Sequence, residues 1–186
     1  MPVIPVQIRE CEARDIASVT RIYAYHVLHG WATFEIEPPT EEEMERRCAG
    51  ILKRGYPYLI AESGGEVAGY AYAGPYRPRP AYRFTVENSV YVRPECHRQG
   101  IGLMLMESLI AECGRRGFRR MIAVIGDSGN HASIGLHRSL GFEVAGVLPS
   151  VGFKFGRWVD SVLMQRELPL EPPSGGVPEG GGMGKA

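Results

Sequence analysis

Val90-Tyr91-Val92-Arg93-Pro94-Glu95-Cys96-His97-Arg98-Gln99-Gly100-Ile101-Gly102-Leu103-Met104 is the stretch whose reading decides the fold. The β-branched and aromatic residues at 90–92 read as the end of a strand. Pro94 interrupts it, and two glycines one residue apart lead into the apolar-periodic run of a helix. Glycines allow a ligand close to the backbone. The unpaired N–H groups at the helix start, with the positive end of its dipole, attract phosphate oxygens, and Arg98 adds a cation. No Gly-Lys-Ser/Thr follows, so this is not a Walker loop, and the third glycine of a dinucleotide fingerprint is missing. A tight strand-to-helix turn needing small residues accounts for a lone Gly-x-Gly equally well.

Outward from this loop, elements alternate. Upstream, Arg83–Val92 reads as a long strand, preceded by Tyr58–Glu62 and Glu66–Ala73, which Gly64-Gly65 joins as a hairpin. Val6–Arg9 is a short strand. Asp15 is placed to cap a helix with Ile16, Val19, Ile22, Tyr23 and Val27 at helical spacing, ending at Gly30. Thr40 and Glu43 form a capping box for a second helix, with Met44, Cys48, Ile51 and Leu52 inward and Gly55 at its end. Downstream come a helix near Gly100–Gly114, a strand Met121–Ile125, a helix Ala132–Leu140 stopped by Gly141, and strands around Phe142–Val147 and Trp158–Arg166. Antiparallel pairing followed by helical crossovers predicts an α/β domain with a mixed sheet over residues 1–168. Residues 169–186, rich in Pro and Gly, read as a flexible tail.

The chain has 186 residues, about one domain, and 44% of them are hydrophobic, enough for a substantial core. Its 21 basic and 21 acidic residues cancel, which argues against nucleic acid or an anionic membrane as partner. Charge is unevenly spread: residues 77–120 carry 9 basic and 4 acidic side chains. No apolar run reaches the ~18 residues of a membrane span, and Met1–Glu10 lacks a secretory pattern, so a cytoplasmic protein is expected. Cys11, Cys48, Cys96 and Cys113 are far apart, with no zinc spacing. They read as reduced, mostly buried thiols, and no metal is expected.

The order strand, Arg/Gln-x-x-Gly-x-Gly/Ala, helix resembles the pyrophosphate loop of the GNAT superfamily of N-acetyltransferases; His97-Arg98-Gln99-Gly100-Ile101-Gly102 departs from it at its first position. Asn130-His-Ala-Ser-Ile-Gly-Leu-His137-Arg-Ser-Leu-Gly141-Phe142 resembles a second segment of that family. Ala71–Pro75, Tyr82–Val92, Ala123–Gly126 and Gly152–Asp160 narrow the likeness to the phosphinothricin and methionine sulfoximine acetyltransferase branch, over about Val6 to Leu168. The resemblance implies the GNAT fold: a mixed, mostly antiparallel sheet flanked by helices, with a splayed parallel strand pair holding acetyl-CoA. It implies acetyl-CoA as co-substrate, a small amine as acceptor, direct transfer in a ternary complex, and a homodimer.

Acetyl transfer to an amine needs a base, because an ammonium with pKa near ~10 has almost no free lone pair at neutral pH. In Arg83–Val92 the residues Phe84, Val86, Val90 and Val92 form an apolar face broken by Asn88, which puts Glu87 on the other face with Thr85, Ser89 and Tyr91. Pattern alone leaves Glu87 open as a solvated carboxylate; the resemblance implies the general base. The resemblance likewise implies that the backbone of Val90, Tyr91 and Val92 pairs with the pantetheine amides. It places Arg98, Gln99, Gly100, Ile101, Gly102 and Leu103 at the pyrophosphate, and Asn130 at the pantetheine arm. His137 stands where many relatives carry a Tyr that donates to the departing thiolate; a hydrogen-bonded core histidine is the alternative. For the acceptor, Arg77 and Tyr82, in the proline-rich Pro75–Tyr82 loop, suit a carboxylate, and Phe34 is a candidate apolar wall or a core aromatic. An acceptor of another kind (polyamine, aminoglycoside, protein N-terminus) or a non-catalytic acyl-CoA-binding protein remain the competing readings.

Overall fold

The computed structural model describes residues 5–169. All but the first residue of the Pro/Gly-rich segment 169–186 lies outside the described residues.

Seven strands form one sheet: β1 (Val6–Glu10), β2 (Tyr58–Ser63), β3 (Glu66–Pro75), β4 (Thr85–Val92), β5 (Arg120–Gly126), β6 (Glu143–Lys154) and β7 (Arg157–Glu167). Their order is β1-β2-β3-β4-β5-β7-β6. Every neighbouring pair is antiparallel except β4 and β5. The mixed sheet expected from the alternation of hairpins and crossovers is what forms. Four helices, α1 (Ile16–His29), α2 (Glu41–Lys53), α3 (Ile101–Arg115) and α4 (His131–Ser139), flank it.

Two cores follow from the two sheet faces. Val19, Ile22, Tyr23 and Val27 of α1 and Met44 and Cys48 of α2 bury against Tyr58, Ile60, Tyr70 and Tyr91. On the opposite face Leu105, Met106 and Leu109 of α3 pack on Ala71, Val86, Met121 and Met164. Tyr91 and Val86 belong to different cores, as period-two alternation along β4 requires.

Local details depart from expectation at four places. Asp15 does not cap α1: its carboxylate receives both terminal nitrogens of Arg9 at 2.7 and 2.8 Å and the Glu12 N–H at 2.8 Å. Thr40 Oγ1 accepts from the Glu43 N–H, but the Glu43 carboxylate pairs with Arg46 and Arg47 instead of closing a capping box. Leu52, expected inward, is exposed, as is Phe84, which lies under the Arg83 guanidinium before β4 begins. At Asp15 and Glu43 an arginine takes up the carboxylate that the local pattern assigns to a cap. All four cysteines are free and buried.

Candidate active site

The parallel pairing of β4 and β5 runs from Thr85↔Arg120 to Asn88↔Ala123 and then stops. Beyond it β4 pairs only with β3 and β5 only with β7, so the two strands splay. The Arg93 N–H donates to Ala68 O on β3, at 2.8 Å. Alternation then turns the N–H and C=O groups of Val90 and Val92 into the gap between the splayed strands. A free strand edge of this kind accepts an extended amide chain.

The gap opens into two adjoining cavities that share Ala32, Val90, Asn130 and Ser133. The larger, about 790 Å³, runs from Val90 and Val92 to Arg98, Gly100, Ile101 and Gly102. Gly100 precedes α3 at φ +80°, a left-handed conformation that glycine adopts without steric cost. No side chain caps the first turn of α3, which leaves its N–H groups directed at the cavity mouth. Gln99 is turned back onto Glu95 O, at 3.0 Å, and Leu103 is exposed and outside the cavity wall. Asn130 Oδ1 accepts from the Ser133 N–H and so opens α4 at the cavity's edge.

The smaller cavity, about 240 Å³, is walled by Phe34, Tyr72, Glu87, Asn88, Gly126 and His137 among others. Glu87 faces it from mid-strand, paired with Gly74 on one side and Ile122 on the other. Burial pushes the Glu87 carboxyl above the usual carboxylate range, and the Arg77 charge partly opposes this. Arg77 and Tyr82 stand outside the wall, gathered around Tyr76: the guanidinium lies 5.1 Å from the Tyr76 ring centroid and the Tyr82 ring meets it edge-on at 5.6 Å. Arg77 thus reaches the site through its charge. Phe34 lies against Gly152 and is half-exposed, a wall and not a core residue.

His137 is 2% exposed, and both of its ring nitrogens are engaged. Nδ1 lies 2.8 Å from Ser133 O, which makes Nδ1–H the donor; Nε2 then accepts from Asn88 Nδ2–H at 3.0 Å. Burial lowers the His137 pKa, and the bond to Ser133 opposes this. Asn88 Oδ1 is buried with no hydrogen-bond partner among the described residues. No residue pattern marks His26 as part of the site. From α1 its Nε2 donates to Val92 O at 2.9 Å, while His97 Nε2 approaches the same oxygen at 3.0 Å.

A splayed parallel pair, an uncapped glycine-led helix start and a half-buried carboxylate at the end of the gap together define an acyl-CoA-dependent transferase. Residues 23–142 match the acetyltransferase (GNAT) family, and the chain belongs to it. It is 57% identical over 154 residues to a phosphinothricin N-acetyltransferase of Alcaligenes faecalis, covering 83% of this chain and 78% of that protein. With an L-methionine sulfoximine/L-methionine sulfone acetyltransferase of Pseudomonas paraeruginosa it shares 41% identity over 162 residues, 87% of this chain and 94% of the other. A GNAT superfamily phosphinothricin acetyltransferase from Sinorhizobium meliloti, solved in complex with acetyl-CoA, superposes with a TM-score of 0.86 at 46% identity, covering 94% and 97% of the two chains. The expected GNAT fold and N-acetyltransferase class hold, and acetyl-CoA is the co-substrate. No described helix is long and apolar enough to cross a membrane.

Proposed function

We propose that this enzyme acetylates the α-amino group of a small amino-acid analogue of the phosphinothricin or methionine sulfoximine type, by direct transfer in a ternary complex with Glu87 as general base. The observation that carries this reading is the half-buried Glu87 carboxylate, with its raised pKa, facing a cavity that adjoins the splayed strands. Acetyl-CoA supplies a thioester carbonyl. The backbone of Val90 and the Val92 N–H bind its pantetheine amides, the Val92 carbonyl being held by His26; the first-turn amides of α3 with Arg98 bind its pyrophosphate, and Asn130 borders the arm between them. The Val90 N–H holds the carbonyl oxygen. Glu87 takes the ammonium proton, and the free amine attacks the thioester carbonyl in a cavity with room for a small amino acid; the C–S bond then breaks, and the CoA thiolate leaves with the second proton that the attacking nitrogen sheds as the amide forms.

Arg77, with Tyr82 beside it on Tyr76, offers the acceptor's carboxylate a cation at the rim, which disfavours polyamines and aminoglycosides. Phe34 forms the apolar wall opposite. His137, with its only N–H spent on Ser133 O, is assigned a positioning role through Asn88 and not the proton donation expected of it.

The proposal includes a homodimer. β6 is the last strand in the sheet and carries Val147, Leu148, Val151 and Phe153 46–56% exposed. An open apolar edge strand is stable when a second copy covers it; sedimentation at monomer mass would remove this part. Acceptor profiling by thiol release from acetyl-CoA tests the substrate. Turnover of phosphinothricin or methionine sulfoximine with little on spermidine, kanamycin or an N-terminal peptide is expected. The reverse order refutes the acceptor assignment, and acetyl-CoA binding without turnover of any amine refutes catalysis.

A further inference from the structure

Among the described residues, one cation is buried. Lys154, the last residue of β6, is 3% exposed. A buried ammonium is expensive unless its donors are satisfied. Lys154 Nζ donates to Gly30 O at 2.9 Å and to Thr33 O at 2.8 Å, carbonyls of the irregular segment between α1 and α2. Burial lowers its pKa, and the charge of Glu35 from the same segment opposes this. The site described above makes no use of it.

The segment that Lys154 grips contributes Ala32, Thr33 and Phe34 to the cavity facing Glu87. It lies against the sheet with no slack. A Cβ on Gly126 would fall 2.2 Å from Trp31 O, and one on Gly152 would fall 2.3 Å from Phe34 Cε1. Only glycine fits at either place, so the depth at which Phe34 sits is set to within a methyl group. The other side of the segment is held from α1 and α2: the Tyr23 hydroxyl meets Thr33 Oγ1 at 2.9 Å and Glu35 Oε1 at 2.9 Å, and Arg47 Nη1 donates to Glu35 at 2.6 Å. Trp31 is fixed to the β6–β7 turn, under the Arg157 guanidinium at 4.0 Å and edge-on to Phe155 at 5.0 Å.

We propose that Lys154 is a positioning residue for acceptor specificity: by bonding Gly30 O and Thr33 O it holds Phe34 at the depth that the acceptor side chain meets. This rests on reading the cavity at Glu87 as the acceptor site. An apolar side chain at 154 would leave two loop carbonyls unpartnered and release the loop from β6. The cofactor cavity takes Gly30, Trp31 and Ala32 from this loop, but Phe34 lines only the acceptor cavity, so an effect carried by Phe34 falls on the acceptor.

The test is steady-state kinetics of Lys154→Met with acetyl-CoA and phosphinothricin. The expected result is an acceptor KM raised about tenfold, with kcat and the acetyl-CoA KM within about twofold of wild type, since only ground-state acceptor positioning is lost. Phe34→Ala and the double variant follow. If Lys154 acts through Phe34, the double variant has an acceptor KM within about twofold of Phe34→Ala alone; multiplying effects would place its action elsewhere and overturn the proposal. Should Lys154→Met fail to fold, Gly152→Ala displaces Phe34 directly, leaves the lysine in place, and is expected to show the same split. An active wild type whose acceptor KM is indifferent to both Lys154→Met and Gly152→Ala refutes the lysine's role alone. A wild type that acetylates no amino-acid analogue refutes the acceptor reading and this inference with it.

Discussion

Replacing Glu87 by Gln removes one proton acceptor while keeping the volume and hydrogen-bonding reach of the side chain, and it separates the catalytic account from a structural one by moving rate and stability in opposite directions. Positioned general bases contribute about 10²–10⁴ in rate. With no second carboxylate in the cavity wall to substitute for Glu87, kcat/KM is expected to fall by roughly 10²–10³, or about 3–4 kcal/mol at 1.36 kcal/mol per decade. The pH profile adds a second reading. Burial raises the Glu87 carboxyl above its ordinary 4.5, so wild-type kcat/KM should rise with pH along a limb whose midpoint lies above that value, and the limb should vanish in Glu87→Gln. Stability follows the opposite course. A carboxyl whose pKa is raised on folding binds its proton more tightly in the native state, so stability is greatest below the unfolded pKa and falls as pH rises through the folded one. At pH 8 the wild type bears the whole of that loss and the glutamine none, so the variant should melt higher at pH 8, with a smaller difference at pH 4. The assay is thiol release from acetyl-CoA between pH 5 and 9, with melting curves at pH 4 and 8. A variant that keeps kcat/KM within about threefold, or keeps the acid limb, removes Glu87 from the base role.

The remaining predictions concern the acceptor rim, the phosphate loop and the fold. Arg77→Ala should raise the acceptor KM severalfold, leave the acetyl-CoA KM in place, and move the acid limb to higher pH, because the Arg77 charge lowers the Glu87 pKa; an unmoved limb would separate the two residues. Gly100→Ala forces a Cβ into φ +80°, at a cost of about 1–2 kcal/mol, and should weaken acetyl-CoA binding in calorimetry; unchanged affinity would take this backbone out of the phosphate site. Asp15→Ala strips the buried partner from Arg9 and should cost about 3 kcal/mol, near the low end for such pairs because Glu62 still bonds Arg9, read as the loss in a urea melt. Burial alone would raise the Asp15 carboxyl, but Arg9 and the Glu12 N–H outweigh it and hold it low. The stability it adds is therefore present above the unfolded pKa and lost as pH falls below about 4, so wild type and variant should converge in acid.

The elements could be read because their signals are local. Apolar spacing located α1 with its five inward residues, and strand alternation set Glu87 and Val86 on opposite faces. Two of the misread details share one cause. That cause covers the two expected caps: Asp15 and Glu43 satisfy a local rule, yet each carboxylate meets a guanidinium, from Arg9 or from Arg46 and Arg47. A charge-assisted bond outweighs a neutral cap. The basic stretch 77–120 illustrates the same limit: Arg93 pairs with Glu66, and Arg115 and Arg116 both pair with Glu112, so part of its charge is spent internally.

At the site, legibility followed whether function rests on side chains or on backbone placed by distant contacts. Asn88 was visible as the one polar break in the apolar face of β4. Such a break marks a side chain with a buried partner, and that partner is His137, 49 residues on. His26 offered no such break, because its partner is a main-chain oxygen 66 residues away. Lys154 is the extreme case: it bonds carbonyls 124 and 121 residues earlier, in a loop without periodicity. Any sequence at 30 and 33 would present the same carbonyls, so no residue pattern there could name the lysine. The signal that did exist lay in the glycines at 126 and 152, which mark where the backbone and the Phe34 ring of that loop come too close for a Cβ. Close approach of this sort fixes a wall more finely than side-chain identity does, and a specificity pocket built on it should respond to substitutions that never touch the acceptor.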